Sequence, residues 1–456
     1  MKKHLLVGLM ALAVLVTDVV VVATHKEDVK GWDARVLPIV DFVQEHRGLR
    51  FKKAVPVEFL DDAAFNKQVA PDRKDTADDK KQLAQFLGEL RALSLVSGNV
   101  DLGKAEDDLA KSSVIGLYVP SKKAVFVRGK ELTPATRVVL AHELTHVLQD
   151  QYFDITKLRS DPPGGDGGPV TALIEGDAVR IQDEYTEAMS DTDQKAYRTE
   201  TIREARAARS GSSDVPAVLS DFLSFPYAFG PVLLAQLQQQ GGNAEIDKAF
   251  RHPPSEEAQV FDPLGHPYTE NIQKLAQPAV PAGAKRVDKP APFGQVSLFE
   301  VLSARLPYTD ALKAVRGWEA DTSQTYTVGS RTCVAIDVKS TPVAFENGAR
   351  AWAAAVHATV TSKGDLVSIR VCDPGAGARI PAAKHPSAFD VLSARAVLLS
   401  TFVTKGSPLD KATCLADGLI ARLGPARYSI LLATDLTPAQ TTTIRDLATA
   451  SAQACI

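Results

Sequence analysis

At 456 residues the chain is long enough for two or three domains, and with 45% hydrophobic and 23% charged residues it has the make-up of an ordinary globular protein. A formal net charge of −3 gives no electrostatic footprint for nucleic acid. All four cysteines, Cys333, Cys372, Cys414 and Cys455, lie in the last third. Four cysteines allow three pairings. In an oxidising compartment the sequence neighbours Cys333–Cys372 and Cys414–Cys455 are expected to join; the alternative is four free thiols in a cytosolic protein.

Residues 1–24 open on Met1-Lys2-Lys3-His4 and run apolar from Leu5 to Ala23. A basic start before a short apolar core reads as a secretory signal, with Val21-Val22-Ala23 as a cleavage site. The apolar run, about 19 residues, is also long enough for an uncleaved membrane anchor, although Asp18 inside it opposes a stable span. Either way, the rest of the chain is expected to be secreted or anchored on the extracytoplasmic face of the membrane. Residues 33–47 read as a short helix and Lys53–Leu60 as a strand. Thr76–Val96 reads as a helix with Leu83, Phe86, Leu87 and Leu90 on one face. Val114–Val127 holds two short apolar runs around Pro120-Ser121-Lys122-Lys123, a hairpin pattern.

The stretch from Thr133 to Phe153 carries the chemistry. Thr133 suits an N-cap and Pro134 the first helical position. Val138, Val139, Leu140, Leu144, Val147 and Leu148 then recur at helical spacing, so one helix is expected over 134–151. Within it stands His142-Glu143-Leu144-Thr145-His146. Residues four apart share a helix face, so His142 and His146 aim two imidazoles at one point, within reach of one metal ion. Glu143 lies about 100° round the helix, placed to take a proton from a metal-bound water without being a ligand itself.

A second helix is expected from Pro169 to Ser190. Glu175 follows the apolar run Ala172-Leu173-Ile174, where a carboxylate needs a partner. A metal ion would be one; a surface position near the helix start is the other reading. Gly176 would let a neighbouring helix come close. Asp177 could orient a ligand imidazole from behind, or be a solvated carboxylate; Asp150 and Asp166 are further fallback ligands. The helical pattern continues through about Arg209 to a break at Ser210-Gly211-Ser212-Ser213. Another helical region, Val215–Gln240, stops at Gly241-Gly242 and includes Phe225-Pro226-Tyr227-Ala228-Phe229-Gly230. Residues 277–292 read as an exposed connection. Leu298–Val315 reads as helical. Thr325–Val338 and Val356–Val371 read as strands, with a short helix at Ala349–Ala355 between them.

The motif Ala141–Gln151 followed by Ala172–Ala178 resembles the gluzincin class of zinc metallopeptidases, and more narrowly a group of secreted bacterial neutral zinc metallopeptidases. The resemblance covers roughly residues 35–375. It implies Zn2+ held by His142, His146 and Glu175, with Glu143 as catalytic base. The spacing of 29 residues from His146 to Glu175 (175 − 146) exceeds the shortest gluzincin spacing, the excess lying in the loop Asp161–Gly168. The resemblance further implies that the 114–127 hairpin binds a peptide substrate by strand addition. It also places a Tyr followed by Gly where Tyr227 stands. That phenol could donate to the oxyanion on the scissile carbonyl, or be a core tyrosine.

The expected architecture is therefore α+β: a mainly helical, zincin-like metallopeptidase domain with a small sheet over 33–375, a linker over 376–387, and a small helical, disulfide-stapled domain over 388–456. The expected function is zinc-dependent hydrolysis of peptide bonds outside the cytoplasm, on a peptide or protein substrate. A catalytically inactive zincin-fold binding protein or cell-envelope scaffold is the alternative. No partner for the C-terminal unit is evident.

Overall fold

The computed structural model describes residues 31–69, 76–163, 167–211, 215–341, 343–379, 388–424, 428–432 and 436–455. The signal or anchor segment, most of the expected linker, and parts of the 161–168 loop and the Ser210 break lie outside the described residues. The fold is mixed α+β and mostly helical. In chain order its first part comprises Leu37–Arg47 (α1), Val57–Leu60 (β1), Asp62–Val69 (α2), Ala77–Ala92 (α3), Leu102–Ser113 (α4), Gly116–Val119 (β2), Ala124–Arg128 (β3), Pro134–Phe153 (α5), Ile155–Ser160 (α6), Gly168–Ala188 (α7), Asp191–Gly211 (α8), Ala217–Arg251 (α9) and Ala258–Phe261 (α10). Then come Lys285–Arg286 (β4), Gln295–Ser303 (α11), Tyr308–Val315 (α12), Trp318–Val328 (β5), Arg331–Ser340 (β6), Val343–Val356 (α13), Thr359–Lys363 (β7), Leu366–Cys372 (β8), Ala388–Thr404 (α14), Leu409–Leu423 (α15) and Pro438–Ala454 (α16).

Several elements break where a continuous pattern was expected. The helical run after Glu175 is two helices: Met189 adopts extended backbone (φ −68°, ψ 156°), and the Ser190 hydroxyl accepts the Asp193 N–H at 3.2 Å to start α8. The 298–315 helix divides at Pro307, which opens α12. Each long strand expected over 325–338 and 356–371 is a hairpin, because Gly329 and Gly364 turn the chain at a φ of +63°. The Gly241-Gly242 pair breaks the helix where a stop was expected: Gly241 (φ −171°, ψ 17°) and Gly242 (φ 62°, ψ −150°) are non-helical, and a second helical segment follows to Arg251. The connection over 277–292 adds β4 to the edge of β5.

One sheet has the order β1-β3-β2, with β1 parallel and β2 antiparallel to β3. The other runs β4-β5-β6-β8-β7, antiparallel throughout. Cys333 stands directly opposite Cys372 in the β6–β8 register, and the two form a disulfide with Cα atoms 3.9 Å apart. A second disulfide, Cys414–Cys455, ties α15 to the end of α16. Two disulfides mark an oxidising, extracytoplasmic environment.

A main apolar core runs through α1, α5, α7, α9 and α11. The region beyond residue 388 shares it: Phe389, Leu392, Leu399 and Val403 of α14 pack into the same cluster, with α14 lying along α9. α9 is long and apolar enough to cross a membrane, but Phe229, Leu233 and Leu237 are spent on this core.

Candidate metal centre

α5 starts as its first residues dictate. The Thr133 hydroxyl accepts the Thr136 N–H at 3.2 Å, and Pro134 occupies the first turn, where its missing N–H costs nothing. Every residue from Leu140 to Asp150 is buried, so the helix that carries the two histidines runs through the interior. α7 crosses α9 beside it at very short range. A Cβ on Gly176 would lie 2.5 Å from the Gly230 carbonyl carbon, and one on Gly230 would lie 2.2 Å from the Ala172 oxygen. Only a glycine pair permits that approach, and it brings Glu175 to the histidines with Tyr227 alongside.

Three donor atoms converge. His142 Nε2 and His146 Nε2 are 3.1 Å apart, and each lies 3.2 Å from Glu175 Oε2. All three residues are buried, and together they could hold a metal ion. Glu175 is therefore not a surface glutamate. Burial alone would raise its carboxyl, but the facing His146 imidazole and hydrogen bonds from both histidines hold it well below the usual carboxylate range. Burial likewise opposes a charge on His146, and the Glu175 carboxylate outweighs it and raises that imidazole. Arg159 of α6 donates to Glu175 Oε1 at 2.7 Å, leaving Oε2 to face the rings.

Glu143 stays outside the triangle. Its Oε2 accepts the backbone N–H of Tyr118 at 2.6 Å, which pins the edge strand β2 over α5. Gly116 makes room for this contact: a Cβ there would meet Val139 Cγ1 at 2.3 Å and Glu143 Cγ at 3.2 Å. The Tyr118 hydroxyl donates to Asp150 Oδ2 at 2.6 Å, and Lys123 at the hairpin turn pairs with the same oxygen at 2.5 Å. Asp150 thus anchors the hairpin and does not join the donor group. Asp166 lies outside the described residues.

Behind His146 a chain of hydrogen bonds fixes which nitrogen turns to the donor triangle. The Gln149 amide nitrogen donates to the Ile174 carbonyl at 3.0 Å and to Asp177 Oδ2 at 3.1 Å, both of which can only accept. Gln149 Oε1 must then face His146 Nδ1, at 2.8 Å, so Nδ1 carries a proton and Nε2 is the nitrogen turned toward Glu175. Asp177 is fully buried, not solvated. It accepts from Arg47 Nε at 2.7 Å and Arg180 Nη2 at 3.1 Å, and Arg47 also pairs with Asp247 at 2.7 Å. Burial pushes the Asp177 carboxyl up, and the two guanidiniums outweigh that and lower it. Asp177 acts on the imidazole through Gln149. His142 has no such support: its Nδ1 is buried with no partner among the described residues, and its ring is stacked on Tyr227, 6.2 Å away at 20°.

Tyr227 leaves 45% of its surface exposed, while its phenol is raised by burial and by the nearby Glu175 and Glu143 carboxylates, so it stays a protonated donor. The structure thus gathers His142, Glu143, His146, Glu175 and Tyr227 in one place. Gln149, Arg159, Arg47 and Tyr118 were not anticipated. Only Gln149 carried a signal, standing three residues after His146 on one helix face. Comparison with protein-family models, with curated proteins and with solved structures finds no match to this chain.

Proposed function

We propose that the chain is a zincin-like zinc metallopeptidase of gluzincin type, acting outside the cytoplasm as a secreted or membrane-anchored enzyme. The observation that carries this reading is the convergence of His142 Nε2, His146 Nε2 and Glu175 Oε2 while Glu143, one residue along α5, stays out of the donor triangle. Tetrahedral ligands at about 2.0–2.1 Å from zinc lie roughly 3.3–3.4 Å from one another; the donor separations of 3.1, 3.2 and 3.2 Å fit that arrangement. Among the described residues the donor group has three members, which leaves a position open for water or substrate, as a catalytic site requires. A zinc ion held there would polarise the peptide carbonyl and lower the pKa of water to about 7.

The protein's own groups do the rest. Glu143 takes the proton of the attacking water and passes it to the leaving amine. Tyr227, kept protonated, donates a hydrogen bond to the developing oxyanion. The free edge of β2, held against Glu143 through Tyr118, offers main-chain groups to an extended peptide. Arg159 and Gln149 keep Glu175 and His146 in their ligating orientations. The test is reversible inactivation: a strong chelator is expected to abolish cleavage of a casein substrate, and zinc at stoichiometric level to restore it. Full activity in the chelated, metal-free protein would refute the reading.

A further inference from the structure

Away from the metal centre, Glu300 of α11 carries a carboxyl into the main core. The residue is 6% exposed, and its Oε1 is buried with no hydrogen-bond partner among the described residues. The groups that act on it electrostatically are two more carboxylates, Asp221 near the start of α9 and Asp390 at the start of α14. We propose that these three carboxylates form a proton-operated latch: protonated, they hold α14 and the chain behind it against α9 and α11, and ionised, they release it. The latch does not depend on the peptidase reading.

Each carboxylate comes from a different helix, and α14 packs on both of the others. Phe389, directly before Asp390, meets Phe229 of α9 with ring centres 6.3 Å apart. Phe299 and Val301, on either side of Glu300, are buried in the same cluster. Glu300 Oε1 therefore meets water only if this packing opens. Among the described residues the three carboxylates do not bring oxygens close enough to share a metal ion, so the ligand that neutralises them is the proton.

No described cation answers them. Arg395 of α14 and Arg316 after α12 are both spent on Asp417 of α15, at 2.5 and 2.6 Å. Tyr308 of α12 faces that ion pair, and burial keeps its phenol protonated up to about 12. Arg305, past the end of α11, donates to the Ala304 carbonyl and the Ser94 hydroxyl. Arg350 of α13 pairs with Glu346 at 2.7 Å, and Asp310 and Lys313 of α12 are exposed. Glu257, ahead of α10, accepts the Val296 N–H at 3.0 Å, and the Tyr428 hydroxyl donates to Asp390 Oδ2 at 3.1 Å.

An ionised carboxylate buried without a partner is costly, and the cost sets the direction of the switch. Burial, with Asp221 and Asp390 adding to it, pushes the Glu300 carboxyl well above the usual carboxylate range. Burial and Asp390 push Asp221 up to about 7. With α14 undocked, both groups would titrate in water at about 4. The docked state therefore binds more protons above that point, so docking is strongest in acid and is lost as pH rises through about 7. The Cys414–Cys455 disulfide keeps α15 and α16 joined when α14 leaves. Phe229 stands two residues after Tyr227, so release of α14 uncovers α9 next to the metal centre.

The test is hydrogen–deuterium exchange of the full chain at about pH 5 and about pH 8, each rate divided into the intrinsic rate at the same pH to give a protection factor. Peptides from α14 are expected to lose protection about tenfold or more at the higher pH, while peptides from α5 keep theirs. Asp221→Asn and Glu300→Gln are each expected to shrink that loss, and the double variant to abolish it. Asp221 is only half-buried, so its variant gives a reading even if Glu300→Gln does not fold. Equal protection of α14 at both pH values in the wild type would overturn the latch. So would a loss spread equally over α5 and α14, or an undiminished loss in Asp221→Asn or in a folded Glu300→Gln.

Discussion

Glu143→Gln is expected to retain zinc at wild-type stoichiometry and to cleave peptide about 10²–10⁴-fold more slowly, the factor a positioned general base supplies. The substitution changes one atom. Glutamine fills the same space, and its carbonyl oxygen can still accept the Tyr118 N–H that now goes to Glu143 Oε2. The donor triangle does not include Glu143, so nothing that holds the metal is lost. What is lost is an atom that can take a proton. Turnover under saturating substrate, measured beside metal content, separates the two roles. Activity within about tenfold of wild type would show that another group is the base; loss of the metal would show that Glu143 is part of its cage.

The second large effect is expected at a residue that touches no metal. Gln149→Leu should weaken zinc binding by about 10- to 100-fold, the range seen when a hydrogen-bonded partner of a ligand is removed. Gln149 holds the Nδ1–H of His146 because its own amide is committed to Ile174 and Asp177. Leucine fills the volume and accepts nothing, so either ring nitrogen can then carry the proton. Competition with a coloured chelator reads the affinity. Nitrogen chemical shifts of His146 in the metal-free protein read the tautomer, which a purely structural role would not move. Asp177→Asn should act in the same direction without touching the ring, since an amide facing Gln149 can invert it. Wild-type affinity and an unchanged His146 spectrum in Gln149→Leu would refute the positioning chain.

What could be read from the sequence was local. The cap and the i, i+4 histidines of α5 depend on neighbours within two turns, and they stand as read; the apolar stripe does not set a face, because the helix is buried all round from Leu140 to Asp150. Glu175 could be picked out because a carboxylate inside an apolar run has few uses, and Gly176 because close helix crossings demand such a residue. Both disulfides join sequence neighbours. The turns at Gly329-Ser330 and Gly364-Asp365 did carry a local signal, a glycine beside a polar residue, but strand-like runs on either side masked it. Arg47 was out of reach for another reason: it meets Asp177 across 130 residues of chain, and no spacing rule pairs them. Arg159 looked like any charge on a short surface helix, and only the fold turns it toward Glu175. The packing of α14 into the main core was equally hidden, since an apolar helix face does not name its partner.

The central claim is that His142, His146 and Glu175 hold a catalytic zinc, and the most direct measurement is metal content by mass spectrometry of the purified chain beside Glu175→Ala. The account expects about one zinc per chain in the wild type, and loss of most of it in the variant while both proteins stay folded. A folded wild-type protein that takes up no zinc even when it is supplied, or a variant that binds it as tightly as wild type, would contradict the account.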